Sequence, residues 1–315
     1  MKIATAQAID NQSPGNLIHK VGTNLRMALE IRGARQQEFV RYVDSRVASS
    51  GDGRSWEGAF KTISEGISAI NAVGLSGKGA TLLIAPGSYI EVASSVPDLS
   101  SYDNLITGIG LPEDTLWYGS GTAGSISAAT DDLLNITGGN NLIMNITPFV
   151  NKNTKAAIVF NDTGAGYHGS FNMLKNVYFS PQTQDGEKYC IRFDGGNVNI
   201  IEDCFLYGAL TAGILLTGNV GDPIRNIIRN NHIVGTAIGI HITSANYNTL
   251  IKDNWFDSGS ETDEDMTNAI VITAGMDAGK VTIIKNTFEQ AIGAAITDAS
   301  GGTAVVRTGD NNNLT

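Results

Sequence analysis

Two aspartates, Asp203 and Asp253, stand at one repeated position of this 315-residue chain. Paired carboxyl groups are what glycosidic hydrolysis uses, at about 5–5.5 Å for retention or about 6.5–9.5 Å for inversion. If the repeats stack as paired strands do, one intervening copy separates the two by about 9–10 Å, at the inverting limit. The same position is otherwise filled by Asn176, Asn230 and Asn286, so the expected role of the whole set is structural, as turn residues bonding their own backbone. No catalytic residue is therefore expected; were the chain enzymatic, Asp203 and Asp253 would be the candidates.

Other chemistry-bearing residues read the same way. Glu202 falls beside Arg229 and Lys252 and predicts a solvated charge ladder, so Glu202→Gln should change stability by less than about 0.5 kcal/mol. His232 has the type of a general base, but it occupies the slot held in other copies by Tyr178, Phe205, Trp255 and Phe288, which predicts a stacked ring. His241 alternates away from the core, while His168 and His19 have no partners nearby. Asp131 and Asp132 read as a solvated turn. The acidic loop from Asp257 to Asp265 holds Asp257, Glu261, Asp263, Glu264 and Asp265, but their order does not match the EF-hand pattern. No His and Cys set has metal-ligand spacing, so neither metal nor cofactor is expected. Cys190 and Cys204 read as free thiols made in a reducing cytosol.

The elements that carry these residues repeat. One motif recurs as Asn172-Met-Leu-Lys-Asn-Val-Tyr178, Asn199-Ile-Ile-Glu-Asp-Cys-Phe205, Asn226-Ile-Ile-Arg-Asn-Asn-His232, Thr249-Leu-Ile-Lys-Asp-Asn-Trp255 and Thr282-Ile-Ile-Lys-Asn-Thr-Phe288. Aligned, the copies set Asn176, Asp203, Asn230, Asp253 and Asn286 in one column, and Leu174, Ile201, Ile228, Ile251 and Ile284 in an aliphatic column inside. A second apolar strand, such as Cys190-Ile-Arg-Phe193 or Gly239-Ile-His-Ile242, alternates with the first. Self-similarity at this period predicts an all-β solenoid, a right-handed parallel β-helix with coils of roughly 23–33 residues.

Upstream, Ser55 offers an N-cap to a helix over 56–70 with Trp56, Phe60, Ile63, Ile67 and Ile70 on one face. A solenoid's open end needs covering, and this helix is the expected cap. Residues 80–89, ending in Pro86-Gly87, predict the first full coil. Short apolar stripes at Leu17, Val21, Leu25 and Ala28, then at Phe39, Val43 and Val47, predict two brief helices before the Gly51-Asp-Gly53 joint. The expected division is an attachment and oligomerisation segment over 1–50 and the β-helix over 51–315.

Charge follows that division. Residues 1–48 hold seven bases against four acids, net +3, and the remainder holds 14 against 27, net -13. With 17% charged residues and an overall charge of -10, the chain lacks the basic surface a nucleic-acid binder needs. No run of 18 apolar residues predicts a membrane span, and no apolar segment follows Met1 to predict secretion.

Gly51-Asp-Gly-Arg-Ser-Trp56, Ala59-Phe60, Leu83-Ile-Ala-Pro-Gly-Ser-Tyr89 and the Ile-rich coils with an Asn and an aromatic resemble the pectate-lyase-like β-helix superfamily, in the form found in tailed-phage virion proteins. The resemblance covers residues 51 to roughly 307. Pectate-lyase and polygalacturonase signatures (Arg-x-Pro-x-x-Arg, Asn-Thr-Asp, paired Asp-Asp, Gly-His-Gly) are absent from the repeating body. The resemblance therefore implies a non-enzymatic virion protein, a trimeric capsid-decorating or cement protein made in the host cytoplasm. It would dock on the major capsid protein or another virion protein through residues 1–48. The alternative is a tailspike-like protein that binds or cleaves host polysaccharide.

Overall fold

Each coil is a short run of β-branched and aliphatic residues between corners that carry asparagine or aspartate. A computed structural model describes residues 39–74, 79–123, 129–152, 154–162, 169–179, 188–218, 223–243, 248–258, 266–273, 280–289, 292–300 and 305–313. Strands from successive coils pair in parallel to form a ten-stranded sheet from Val40–Val43 to Val305–Gly309, a seven-stranded sheet and a six-stranded sheet. A three-stranded sheet (Gly87–Val92, Thr115–Ser120, Thr147–Val150) completes the early coils. The right-handed parallel β-helix expected from the repeats is the architecture found. Its core runs along the axis through residues such as Ile106, Ile143, Leu174, Ile201, Ile228 and Ile251, each 0–1% exposed.

The corners show why asparagine and aspartate recur. Asn145, Asn176, Asp203, Asn230, Asp253, Lys285 and Asp310 all adopt left-handed backbone, with φ between 51° and 57°. Asn and Asp tolerate that region better than other L residues, so a repeated sharp corner selects them. Beside this column, exposed from Asp203 onward, runs a buried one that the sequence reading passed over. The amide side chains of Asn231, Asn254, Asn286 and Asn311 each accept a backbone N–H from the coil before at 2.9–3.0 Å and donate to a carbonyl (Ile201, Ile228, Ile251, Ile283) at 3.0–3.1 Å. Asn104, Asn141, Asn172, Asn199 and Asn226 form a second such ladder at the other end of the ten-stranded sheet. Two corners per coil are thereby satisfied internally, as buried backbone requires.

The last aligned copy corrects the expected register by one residue. Lys252 pairs with Ile284, so Asp253 meets Lys285, and Asn286 belongs with Asn254 in the buried ladder. Ile283, fully buried, takes the inward slot expected of Ile284. The cause is burial: the amide that must bond backbone on both sides sets the register, and a match of residue types across the longest step misplaces it.

The cap is present but shifted. The helix spans Ile63–Gly74, with Ile63, Ile67 and Ile70 fully buried against the first coils. Its N-cap is Thr62, not Ser55: Thr62 Oγ1 accepts the Glu65 N–H at 3.2 Å while Glu65 accepts the Thr62 N–H at 3.1 Å, a reciprocal capping box. Glu91, buried, adds a second cap by accepting the N–H groups of Ile63 and Ser64 at 2.7 and 3.0 Å, and burial pushes its carboxyl pKa up. Trp56 and Phe60 precede the helix. Trp56 is 37% exposed and edges against Tyr42, and Phe60 bridges Val43.

The helix expected around Phe39, Val43 and Val47 is replaced by the strand Val40–Val43, which pairs with Thr81–Ile84. The described solenoid therefore begins upstream of the Gly51-Asp-Gly53 joint, one strand before the coil expected to be first. The stripe from Leu17 to Ala28 lies outside the described residues, as do His19, His168, Glu261, Asp263, Glu264 and Asp265.

Candidate functional site

The six-stranded sheet opens each strand with an outward residue and follows it with an inward one. Phe179, Leu206, Ile233 and Phe256 are fully buried, and the residues before them, Tyr178, Phe205, His232 and Trp255, stand in register on the surface. Tyr178 and Phe205 stack at 4.7 Å with planes 5° apart, Phe205 meets His232 edge-on at 5.0 Å, and His232 stacks on Trp255 at 4.3 Å and 5°. The expected ring column is thus formed over four coils. It ends there, because Trp255 pairs with Thr287; Phe288 lies inside and stacks on Phe256 at 5.2 Å. His232 has a stacked ring's surroundings, with its Nε2 3.4 Å from Asp257 Oδ2. Burial lowers its pKa, and the Asp257 carboxylate opposes that.

Charged residues border the rings. Lys175, Glu202 and Arg229 sit side by side on adjacent strands, with Glu202 3.6 Å from Lys175 and 3.1 Å from Arg229. The ladder differs from the expected one in two respects: Lys252 pairs with Asp253 at 3.0 Å, and the Glu202 side chain is only 11% exposed. Burial between two cations raises the expected cost of Glu202→Gln to about 1–2 kcal/mol, because hydrogen bonds to charged groups are the stronger ones. Denaturant midpoints of the variant and parent check this; a loss under about 0.5 kcal/mol would restore the solvated reading.

Asp203 lies 3.1 Å from Lys175 Nζ and lines a groove of about 510 Å³. It is lined by Leu111, Pro112 and Glu113 from one early turn and by Lys175, Tyr178, Asp203 and Phe205 from two later coils. Asp253 is not among its lining residues, so the two aspartates do not converge on one groove. Two carboxylates in one groove, a lysine holding one of them in place and two stacked rings could bind a sugar and move protons at a glycosidic oxygen. Glu113 was missed in the sequence. Its signal was modest: Leu111-Pro112-Glu113-Asp114 carries proline and acids where a short helical turn begins, and Pro112–Asp114 is such a turn.

A second charged group lies on the seven-stranded sheet. Asp132, read as a solvated turn residue, is largely buried: it accepts two hydrogen bonds from Arg192 at 3.0 and 3.3 Å and one from the Ala156 N–H at 2.7 Å. Arg192 also binds Asp194 on its own strand at 2.9 Å, so the contact that ties separate coils is the one to Asp132. Asp131 alone fits the solvated reading. On the same sheet His241 points outward, as expected, with its Nε2 2.8 Å from Thr273 Oγ1, and burial lowers its pKa. Cys190 and Cys204 are buried and form no disulfide, and burial pushes the Cys204 thiol up to about 12.

No protein-family model and no curated protein matches the chain. Solved structures do. A pectin methylesterase from Aspergillus niger superposes with a TM-score of 0.57 at 14% identity, over 90% of this chain and 88% of its own. An alginate lyase from a Paenibacillus species gives 0.52 at 14%, over 79% and 93%. The A-module of a mannuronan C-5 epimerase from Azotobacter vinelandii gives 0.50 at 14%, over 85% and 79%.

The expectation of a non-enzymatic chain is corrected by this company. A lyase, an esterase and an epimerase are all built on the same scaffold. The missing pectate-lyase and polygalacturonase signatures therefore test only two chemistries among several, and their absence is no argument against catalysis. By the superposition and its own strand order, the chain is a right-handed parallel β-helix of pectate-lyase-like fold.

Proposed function

We propose that this chain binds and cleaves a polysaccharide along its ring-bearing flank, as a tailspike-like protein. The observation that carries the reading is the groove that Asp203 and Glu113 both line, together with Tyr178 and Phe205. Two carboxyl groups lining one sugar-sized groove suit acid–base work on a glycosidic bond, one as acid and one as base. The fold's occurrence in a lyase, an esterase and an epimerase that carry polysaccharide names supports the substrate class. In this reading residues 1–48, with their net charge of +3, attach the protein to a virion, and three copies gather there. A purely capsid-decorating role has no such support.

The test is turnover by the pure full chain on a panel of bacterial surface and plant polysaccharides. Release of reducing ends without ultraviolet-absorbing unsaturated products is expected from at least one. Unsaturated products would replace hydrolysis with elimination, and no product from any polymer would overturn the reading.

A further inference from the structure

We propose that the glycan received on this flank is neutral, that it stacks on the open face of Trp255 while Asp257 and Glu289 bind its hydroxyls, and that polyuronates are excluded. The proposal rests on the polysaccharide reading and names its substrate class.

Trp255 is 46% exposed although it stacks on His232. One face of the indole is covered by the imidazole, and the other looks along the axis toward the next coil. There its register partner is Thr287, a side chain too small to cover a ring. The column of rings thus ends in an uncovered aromatic face, the surface on which the C–H face of a sugar packs.

The groups around that face are acidic. Asp257 follows Trp255 by two residues and so points to the same side of the strand, and Glu289 follows Thr287 in the same way on the next coil. Asp257 beside it raises the Glu289 pKa, and Glu289 accepts from the Ser258 N–H at 3.1 Å and from its hydroxyl at 3.3 Å. The carboxylate oxygens of both can accept from sugar hydroxyls.

Alginate and pectin, named in two of the related structures, are chains of carboxylate-bearing sugars. A site for such a polymer needs cations to spare. Among the described residues Lys175, Arg229 and Lys252, cations beside the rings, are each already held by a carboxylate at 3.0–3.6 Å. Lys285 follows in the exposed corner column but stands between Asp253 and Asp310. Residues 49–315 together carry a net -13, so a polyanion meets repulsion on approach as well as at the site.

The experiment is calorimetric titration of the full chain with hexasaccharides: mannan-, glucan- and xylan-derived on the neutral side, galacturonate and mannuronate on the acidic side, at two ionic strengths. At least one neutral hexamer is expected to bind ten or more times tighter than either uronate, and the gap should narrow with salt. Trp255→Ala should weaken that binding at least tenfold and Trp255→Phe less, while melting curves show both variants folded. A uronate that binds as tightly as the best neutral hexamer would overturn this proposal and leave the polysaccharide reading standing. Unchanged binding by Trp255→Ala would overturn the site. If no hexamer of either kind binds, the polysaccharide reading falls and this proposal with it.

Discussion

Asn254→Ala is expected to destabilise the protein by about 3–5 kcal/mol, far more than any change at the exposed aspartate beside it. The Asn254 side chain, 1% exposed, accepts from the Asn231 N–H and Nδ2 and donates to Ile228 O and Asn286 Oδ1, all at 3.0 Å. Truncation leaves a backbone N–H and a carbonyl buried without partners, at about 1–3 kcal/mol each. Asp253→Asn, one residue away in an exposed left-handed corner, should stay within about 0.5 kcal/mol, because Asn176 and Asn230 already fill that position. Denaturant unfolding of both variants checks the contrast. A loss below about 1 kcal/mol for Asn254→Ala would mean that the ladder follows the fold instead of holding it.

Asp203→Asn is expected to lower the rate of glycosidic cleavage at least 100-fold and to leave the melting temperature nearly unchanged. The rate effect is the usual scale for removing a positioned acid or base. The stability claim follows from the corner column, where asparagine takes the same left-handed backbone in the coils before and after. Glu113→Gln should lose activity comparably, whereas Asp253→Asn, whose carboxylate is outside the groove, should keep it. Initial rates of reducing-end release from the best substrate decide. Asp203→Asn within threefold of the parent would move the chemistry elsewhere.

The solenoid was legible because its coils repeat residue types at corners and inward positions, and stacking puts like on like. Asn176, Asp203, Asn230 and Asp253 could be aligned by eye, and so could the four rings, since each step between them is short. The last coil was misaligned because the deciding signal is not similarity but burial. Asn286 must bond backbone on both sides, and its exposed neighbour Lys285 matches no residue type in the column. The cap shifted for a related reason: Ser55 has Gly58 three residues on, whereas Thr62 has a glutamate there to complete the box.

The groove was the least legible part. Its walls come from positions more than sixty residues apart, Glu113 in a turn with no repeat and Asp203 in the corner column. Nothing in their spacing along the chain reports that they meet. Strand pairing stacks the coils that carry them, through Leu105–Gly108, Leu142–Met144, Met173–Lys175 and Ile200–Glu202.

The most direct measurement is a structure of the full-length Asp203→Asn variant with an uncleaved oligosaccharide of its best substrate. The glycan should cross the groove between Glu113 and residue 203 and run along the flank past Tyr178 and Phe205 toward the open face of Trp255. A glycan seated instead on the seven-stranded sheet, over Arg192 and His241, would contradict the account.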